Sequence, residues 1–213
     1  AEELIKAWGK PYEYTTFADA YNYKESEAKA RAAERAERDK KDIPENFAKE
    51  VKAYHDKAPV KINGTKVLNF GENNLPFSYT VDYQMDGLVK KAGRNIVVSV
   101  GQLFGQQTHI EGKARKRDMD LIYDYPRSYS VTLNLNIPSG YSVAQESLQK
   151  LNNHIDNEAV RLTTKAEISD GKLVIIFQKV YKQQRVPVAK WEQVLSMLDR
   201  AYEFTSQQII LKK

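Results

Sequence analysis

The chain has 213 residues, of which 33 are basic and 28 acidic, giving a net charge of +5, and it contains no cysteine. That length can bury a sizeable core, and the missing cysteine excludes disulfides, thiolate metal sites and a cysteine nucleophile within these residues. The modest basic surplus is compatible with an anionic partner without demanding one, no run reaches the 18 or so apolar residues of a membrane span, and the start Ala1 to Lys6 lacks the plan of a signal peptide.

The chain begins without methionine, so it reads as a processed or excised piece whose targeting segment, if any, lies upstream. Tyr12, Tyr14, Phe17, Tyr21 and Tyr23 make an aromatic-rich start. From Lys24 to Asp42 the apolar residues are all alanine, set among alternating charges. Glu27 with Arg31, Glu34 with Arg38 and Glu37 with Lys41 are i,i+4 pairs that support a helix by roughly 0.2–0.5 kcal/mol each. Asp42-Ile43-Pro44-Glu45 has the pattern of a fresh helix start, with Asp42 as N-cap and proline in the first turn. Phe47, Val51 and Tyr54 then share one face that can dock on a neighbour. The helical arm is expected to end near Asp56, with a domain boundary at Pro59 that separates an arm of residues 1–58 from a domain of residues 59–213.

From Val60 the period changes from helical to two. Asn63-Gly64 between Val60-Lys61-Ile62 and Thr65 to Leu68 predicts a hairpin turn. Phe77, Tyr79, Val81, Tyr83 and Met85 alternate with polar residues up to a second expected hairpin at Asp86-Gly87, and Arg94 to Val100 supplies a β-branched strand. Tyr129, Val131, Leu133, Leu135 and Ile137 alternate with Ser130, Thr132, Asn134 and Asn136, the pattern of a strand with one buried and one wet face. Pro138-Ser139-Gly140 turns the chain. A short helical turn follows around Glu146 to Leu151. Val160 to Ile168, Asp170-Gly171 and Lys172 to Tyr181 predict a hairpin whose second strand is buried on both faces. Pro187 opens an amphipathic helix with Trp191, Val194, Leu195, Leu198, Ala201 and Tyr202 on one stripe, and Gln208 to Leu211 closes the chain as a strand. The expected fold is mainly β: an antiparallel, immunoglobulin- or fibronectin-like β-sandwich with an N-terminal helical arm and one C-terminal amphipathic helix.

Chemistry is sparsely marked. His55, His109 and His154 have no histidine partner at helical spacing, so metal binding is disfavoured and no cofactor is expected. Asp118, Asp120 and Asp124 share a strand face without a calcium-loop pattern, and the serines lack a nucleophile elbow. Lys113, Arg115, Lys116 and Arg117 form the densest basic run. It is read first as a solvated connection and second as a contact for phosphates, glycan acids or acidic lipid. With Arg127, the residues Arg115, Lys116 and Arg117 are the candidate ligand or partner contacts. The aromatic residues of the arm are read as packing on this chain or its neighbours before any partner surface.

Leu103-Phe104-Gly105-Gln106-Gln107, Arg115-Lys116-Arg117-Asp118, Tyr125-Pro126-Arg127-Ser128, Ile137-Pro138-Ser139-Gly140-Tyr141, Lys179-Val180-Tyr181, Trp191 and Ile209 to Lys213 together resemble the C-terminal region of bacterial envelope proteins. Those proteins carry an N-terminal domain of unknown function and a transglutaminase-like core. The resemblance implies a non-catalytic accessory or interaction domain of a larger secreted or periplasmic protein, whose papain-like nucleophile lies upstream, since no cysteine is present here. It implies the upstream domains of the same polypeptide as partners. A glycan- or peptide-binding module is the alternative, and neither nucleic acid nor a membrane span is expected.

Overall fold

The computed structural model describes residues 25–69 and 75–213, so the aromatic-rich start, Tyr12 to Tyr23, lies outside the described residues. The chain divides into two compact units, residues 1–86 and 87–213. The division at Pro59 remains a proposal about folding units, and the hairpin that follows Pro59 belongs to the first compact unit.

In the first unit, α1 (Glu25–His55) is a single helix that continues through Pro44. The expected break with Asp42 as N-cap is therefore corrected. A proline inside a helix removes one backbone hydrogen bond and crowds the preceding turn. Phe47 and Val51, just beyond it, are 0% and 7% exposed, and their burial holds the helix on course. Phe47 meets Tyr79 with ring centroids 5.2 Å apart. The helix ends at His55, one residue before the expected Asp56, which takes a positive φ of 54°. Strands β1 (Lys61–Asn69) and β2 (Ser78–Gln84) pair antiparallel. Asn63-Gly64 is not a turn: β1 runs through it, and the register slips between Ile62 and Gly64. The dipeptide's tolerance of irregular backbone serves a bulge instead. Gly87 does turn the chain, with φ of 81°, but β2 takes β1 as its partner, so no hairpin forms at Asp86-Gly87.

The second unit is an antiparallel β-sandwich. One sheet has the order β6 (Arg127–Asn136), β10 (Lys172–Tyr181), β9 (Val160–Ser169), β8 (Asn153–Asp156). The other has β3 (Val89–Ala92), β4 (Asn95–Val98), β12 (Ile209–Lys212), β7 (Ser142–Val143). A short pair joins β5 (Leu121–Ile122) to β11 (Arg185–Val186). Helix α2 (Gln145–Lys150) is the expected short turn, and α3 (Trp191–Phe204) the expected amphipathic helix. Asp170 and Gly171, with φ of 50° and 72°, supply the positive-φ pair that a tight β9–β10 hairpin requires.

One core joins these layers. Leu162, Leu173, Ile175 and Phe177 come from one sheet, Val98, Ile209 and Leu211 from the other, and Val194, Leu195, Met197 and Phe204 from α3. Phe104, Phe177 and Phe204 meet at its centre with centroids 5.2–5.7 Å apart. The backbone before Phe104 passes so close to the end of α3 that a Cβ on Gly101 would lie 2.2 Å from the carbonyl oxygen of Phe204. Only glycine fits there. The Gly101 N–H uses the proximity to donate to Gln207 O at 2.9 Å.

Strand β10 is buried on its inner face, Leu173, Ile175, Phe177, Lys179 and Tyr181, and half-buried at Val174, Ile176 and Val180 on the other. In β6 the alternation holds as expected: Val131, Leu133 and Leu135 are half-buried against the core while Thr132 and Asn134 are exposed. Replacing Leu133 with aspartate should cost about 2–4 kcal/mol, because a carboxylate would replace an apolar contact opposite Ile175. Asn134→Asp should stay within about 0.5 kcal/mol. Equal shifts in the urea midpoint of the two variants would contradict the alternation.

Candidate functional site

Where β6 begins and β10 ends, the inner face of the sheet changes from apolar to polar. The unbroken register sets Tyr129 opposite Lys179 and Arg127 opposite Tyr181. These four side chains form a square on one face, with Arg127 and Lys179 on one diagonal and the two tyrosines on the other. Tyr123, just upstream, completes the group: its ring meets that of Tyr181 edge-on at 5.0 Å.

Lys179 is 8% exposed, a cation placed in the inward series of an otherwise apolar strand. Its ammonium donates to Gln107 Oε1 at 2.8 Å and lies 5.3 Å from the ring centre of Tyr129 and 5.9 Å from that of Tyr181. Gln107 is itself oriented by donating from Nε2 to the carbonyls of Phe104 and Gly105. Burial first, and then the positive charge of Arg127, hold the Lys179 amine below its ordinary value. Arg127 lies over two rings, 4.9 Å from the centre of Tyr123 and 5.3 Å from that of Tyr181. Ring faces carry negative potential, so the tyrosines partly replace the water that the cations lose. Burial, reinforced by Tyr123, pushes the Tyr181 hydroxyl up to about 12. Among the described residues, no carboxylate pairs with Arg127 or Lys179. The site thus holds two positive charges, three aromatic rings and no internal counter-charge.

The basic run marked in the sequence is used differently. Arg115 makes a two-pronged pair with Asp199 of α3, both bonds at 2.8 Å, and also donates to the carbonyl of Ile110. This hydrogen bonding raises Arg115 and holds the Asp199 carboxyl below its usual range. The indole N–H of Trp191 donates to the Arg115 carbonyl at 2.7 Å, and Arg117 covers the same indole ring at 5.0 Å. Arg115 and Arg117 therefore fasten the long connection before β5 onto α3, whereas Lys113 and Lys116 are exposed. Of the four candidate contacts, only Arg127 belongs to the square. Asp120 is likewise structural: it accepts from the Val188 N–H at 2.9 Å and from Arg185 Nε at 2.7 Å, and these bonds, the backbone one foremost, keep its carboxyl low.

The histidines sit in separate settings. His55 Nε2 meets the Tyr83 hydroxyl at 2.8 Å, His109 stacks on Tyr202 at 3.9 Å, and His154 Nδ1 meets Thr163 Oγ1 at 3.2 Å. Lys179 escapes a search for charged runs because it stands alone. The signal that marks it is parity, since it occupies the inward register of Leu173, Ile175, Phe177 and Tyr181.

Two outcomes follow for this cluster. Tyr181 ionises near pH 10 when unfolded and near pH 12 when folded, so stability intact below pH 10 should fall by up to about 1.4 kcal/mol per pH unit between those values. Tyr181→Phe should flatten this alkaline limb in urea titrations at stepped pH. Lys179→Met keeps the packing and removes the desolvated charge, so its melting temperature should match or exceed that of the parent. A fall of several degrees would show that the ammonium holds the fold.

The family model described as A-macroglobulin receptor binding domain matches residues 126–199, from just before β6 into α3. No curated protein matches the sequence. One solved structure, a protein of Parabacteroides distasonis described as a candidate protease, aligns with 14% identity and a TM-score of 0.40 over 46% of this chain and 19% of that one. Among the described residues, no helix is long and apolar enough to cross a membrane.

Proposed function

We propose that the chain is a non-catalytic interaction module of a larger secreted or periplasmic protein with a transglutaminase-like core, and that its second unit presents the exposed Arg127 and Tyr129, backed by the buried Lys179, to a partner. The observation that carries this reading is the position of the cation–aromatic square inside the segment matching a receptor-binding domain model. A desolvated lysine without a carboxylate does little for stability, so its presence is accounted for by recognition. The envelope setting rests on the resemblance of the motifs from Leu103 to Lys213.

The test is thermal unfolding of the second unit, followed through Trp191 fluorescence, in the chain alone and in the chain joined to the domains that precede it in its reading frame. Linkage should raise its melting temperature by several degrees, as expected when a neighbour binds only the folded state. Unchanged melting, or hydrolytic or transamidating turnover by the chain alone, would overturn the reading.

A further inference from the structure

Strand β6 stands at the end of its sheet. It pairs with β10 over ten consecutive residues with no slip in register, and no strand among the described residues pairs with its other side. Proteins normally blunt such an edge with a lysine, a proline, a bulge or a very short strand, because outward N–H and C=O groups are a template for another chain. Apart from the charge of Arg127 at its first residue, β6 carries none of these devices. From Ser128 to Asn136 there is neither charge nor proline. The inward side chains are only partly covered: Tyr129 is 46% exposed, and Val131, Leu133 and Leu135 are half-buried against the core. A strand laid beside β6, with apolar side chains on alternate residues, would satisfy the outward backbone groups and cover this strip together.

The charge at one end selects the occupant. Arg127 opens the edge strand, with Lys179 diagonal to it, and neither has an acidic partner. We propose that the free edge of β6 receives an extended peptide segment with alternating apolar residues, and that an Asp or Glu of this segment is held at Arg127. A second copy of this chain fits less well, because β6 contains no acidic residue to offer in self-pairing. The proposal deepens the interaction reading and rests on it, naming the chemistry of the partner.

The probe is a fluorescein-labelled, amide-capped heptapeptide Glu-Thr-Val-Thr-Val-Thr-Val, in which Glu and the three valines share one face, titrated with the full chain and followed by anisotropy. Replacing its Glu with Gln should weaken binding about fivefold or more, since a charge-assisted contact is lost. Arg127→Gln should abolish that difference while leaving circular dichroism unchanged. N-methylation at alternate peptide residues should remove binding, and hydrogen exchange should slow in Ser128 to Asn136 when the unmodified peptide is present. Equal affinity for the Glu and Gln peptides, retained binding of the N-methylated peptide, protection mapped elsewhere, or β6-mediated dimers that the peptide cannot displace would each overturn the proposal. If no peptide binds but linkage to the preceding domains still stabilises the second unit, the strand-addition proposal falls and the interaction reading stands. Peptide binding without any effect of linkage gives the reverse outcome.

Discussion

Strand β10 is the element on which the second unit depends. It pairs with β6 on one side and β9 on the other, ten residues each way in unbroken register. Its inner face carries Leu173, Ile175 and Phe177 into the core. Because side chains alternate strictly along a strand, a one-residue slip on either side would turn this row outward and strip α3 of its bed. The same parity carries Lys179 and Tyr181 into the polar end of the sheet. Core and candidate site are thus two stretches of one inward-facing row, and neither can shift without the other.

The helix α3 meets this row from above and is held by two kinds of contact. Phe204 packs into the aromatic centre with Phe104 and Phe177. Asp199 and Trp191 tie down the long segment before β5 through Arg115. A two-pronged arginine–carboxylate pair fixes direction as well as distance, so the segment's path over the helix is specified rather than merely tolerated. The basic run therefore shapes the domain, whereas Arg127 stays exposed without a carboxylate partner among the described residues and Lys179 lies buried behind it.

Much of this fold was legible from the residues. The period-two run around Leu133, the Asp170-Gly171 turn and the stripe of α3 each rest on local chemistry that the tertiary structure leaves intact. Two turn readings failed for a common reason. Asn63-Gly64 and Asp86-Gly87 both tolerate irregular backbone, but only pairing partners decide whether such a dipeptide becomes a hairpin, a bulge or a plain bend. Pro44 misled in the same way, because burial of Phe47 and Val51, with Phe47 against the distant Tyr79, carries the helix past it. For the site, the sequence exposes a dense cluster such as Arg115 to Arg117 readily. It hides Lys179, whose importance comes from a register shared with Tyr129 on a strand far away along the chain.

The β9–β10 hairpin closes through a two-residue turn, whereas β6 reaches β10 only after the whole β7–β9 region has been traversed. Local pairings form in microseconds, and distant ones wait on a larger loop-closure entropy. If the local hairpin forms first, β10 is an open edge of Leu-Val-Ile-Ile-Phe until β6 docks. An apolar, uncharged, proline-free run of this kind is prone to pair with other chains. Docking of β6 then guards solubility while the domain folds: substitutions that slow it should lower soluble yield even where the finished domain is fully stable.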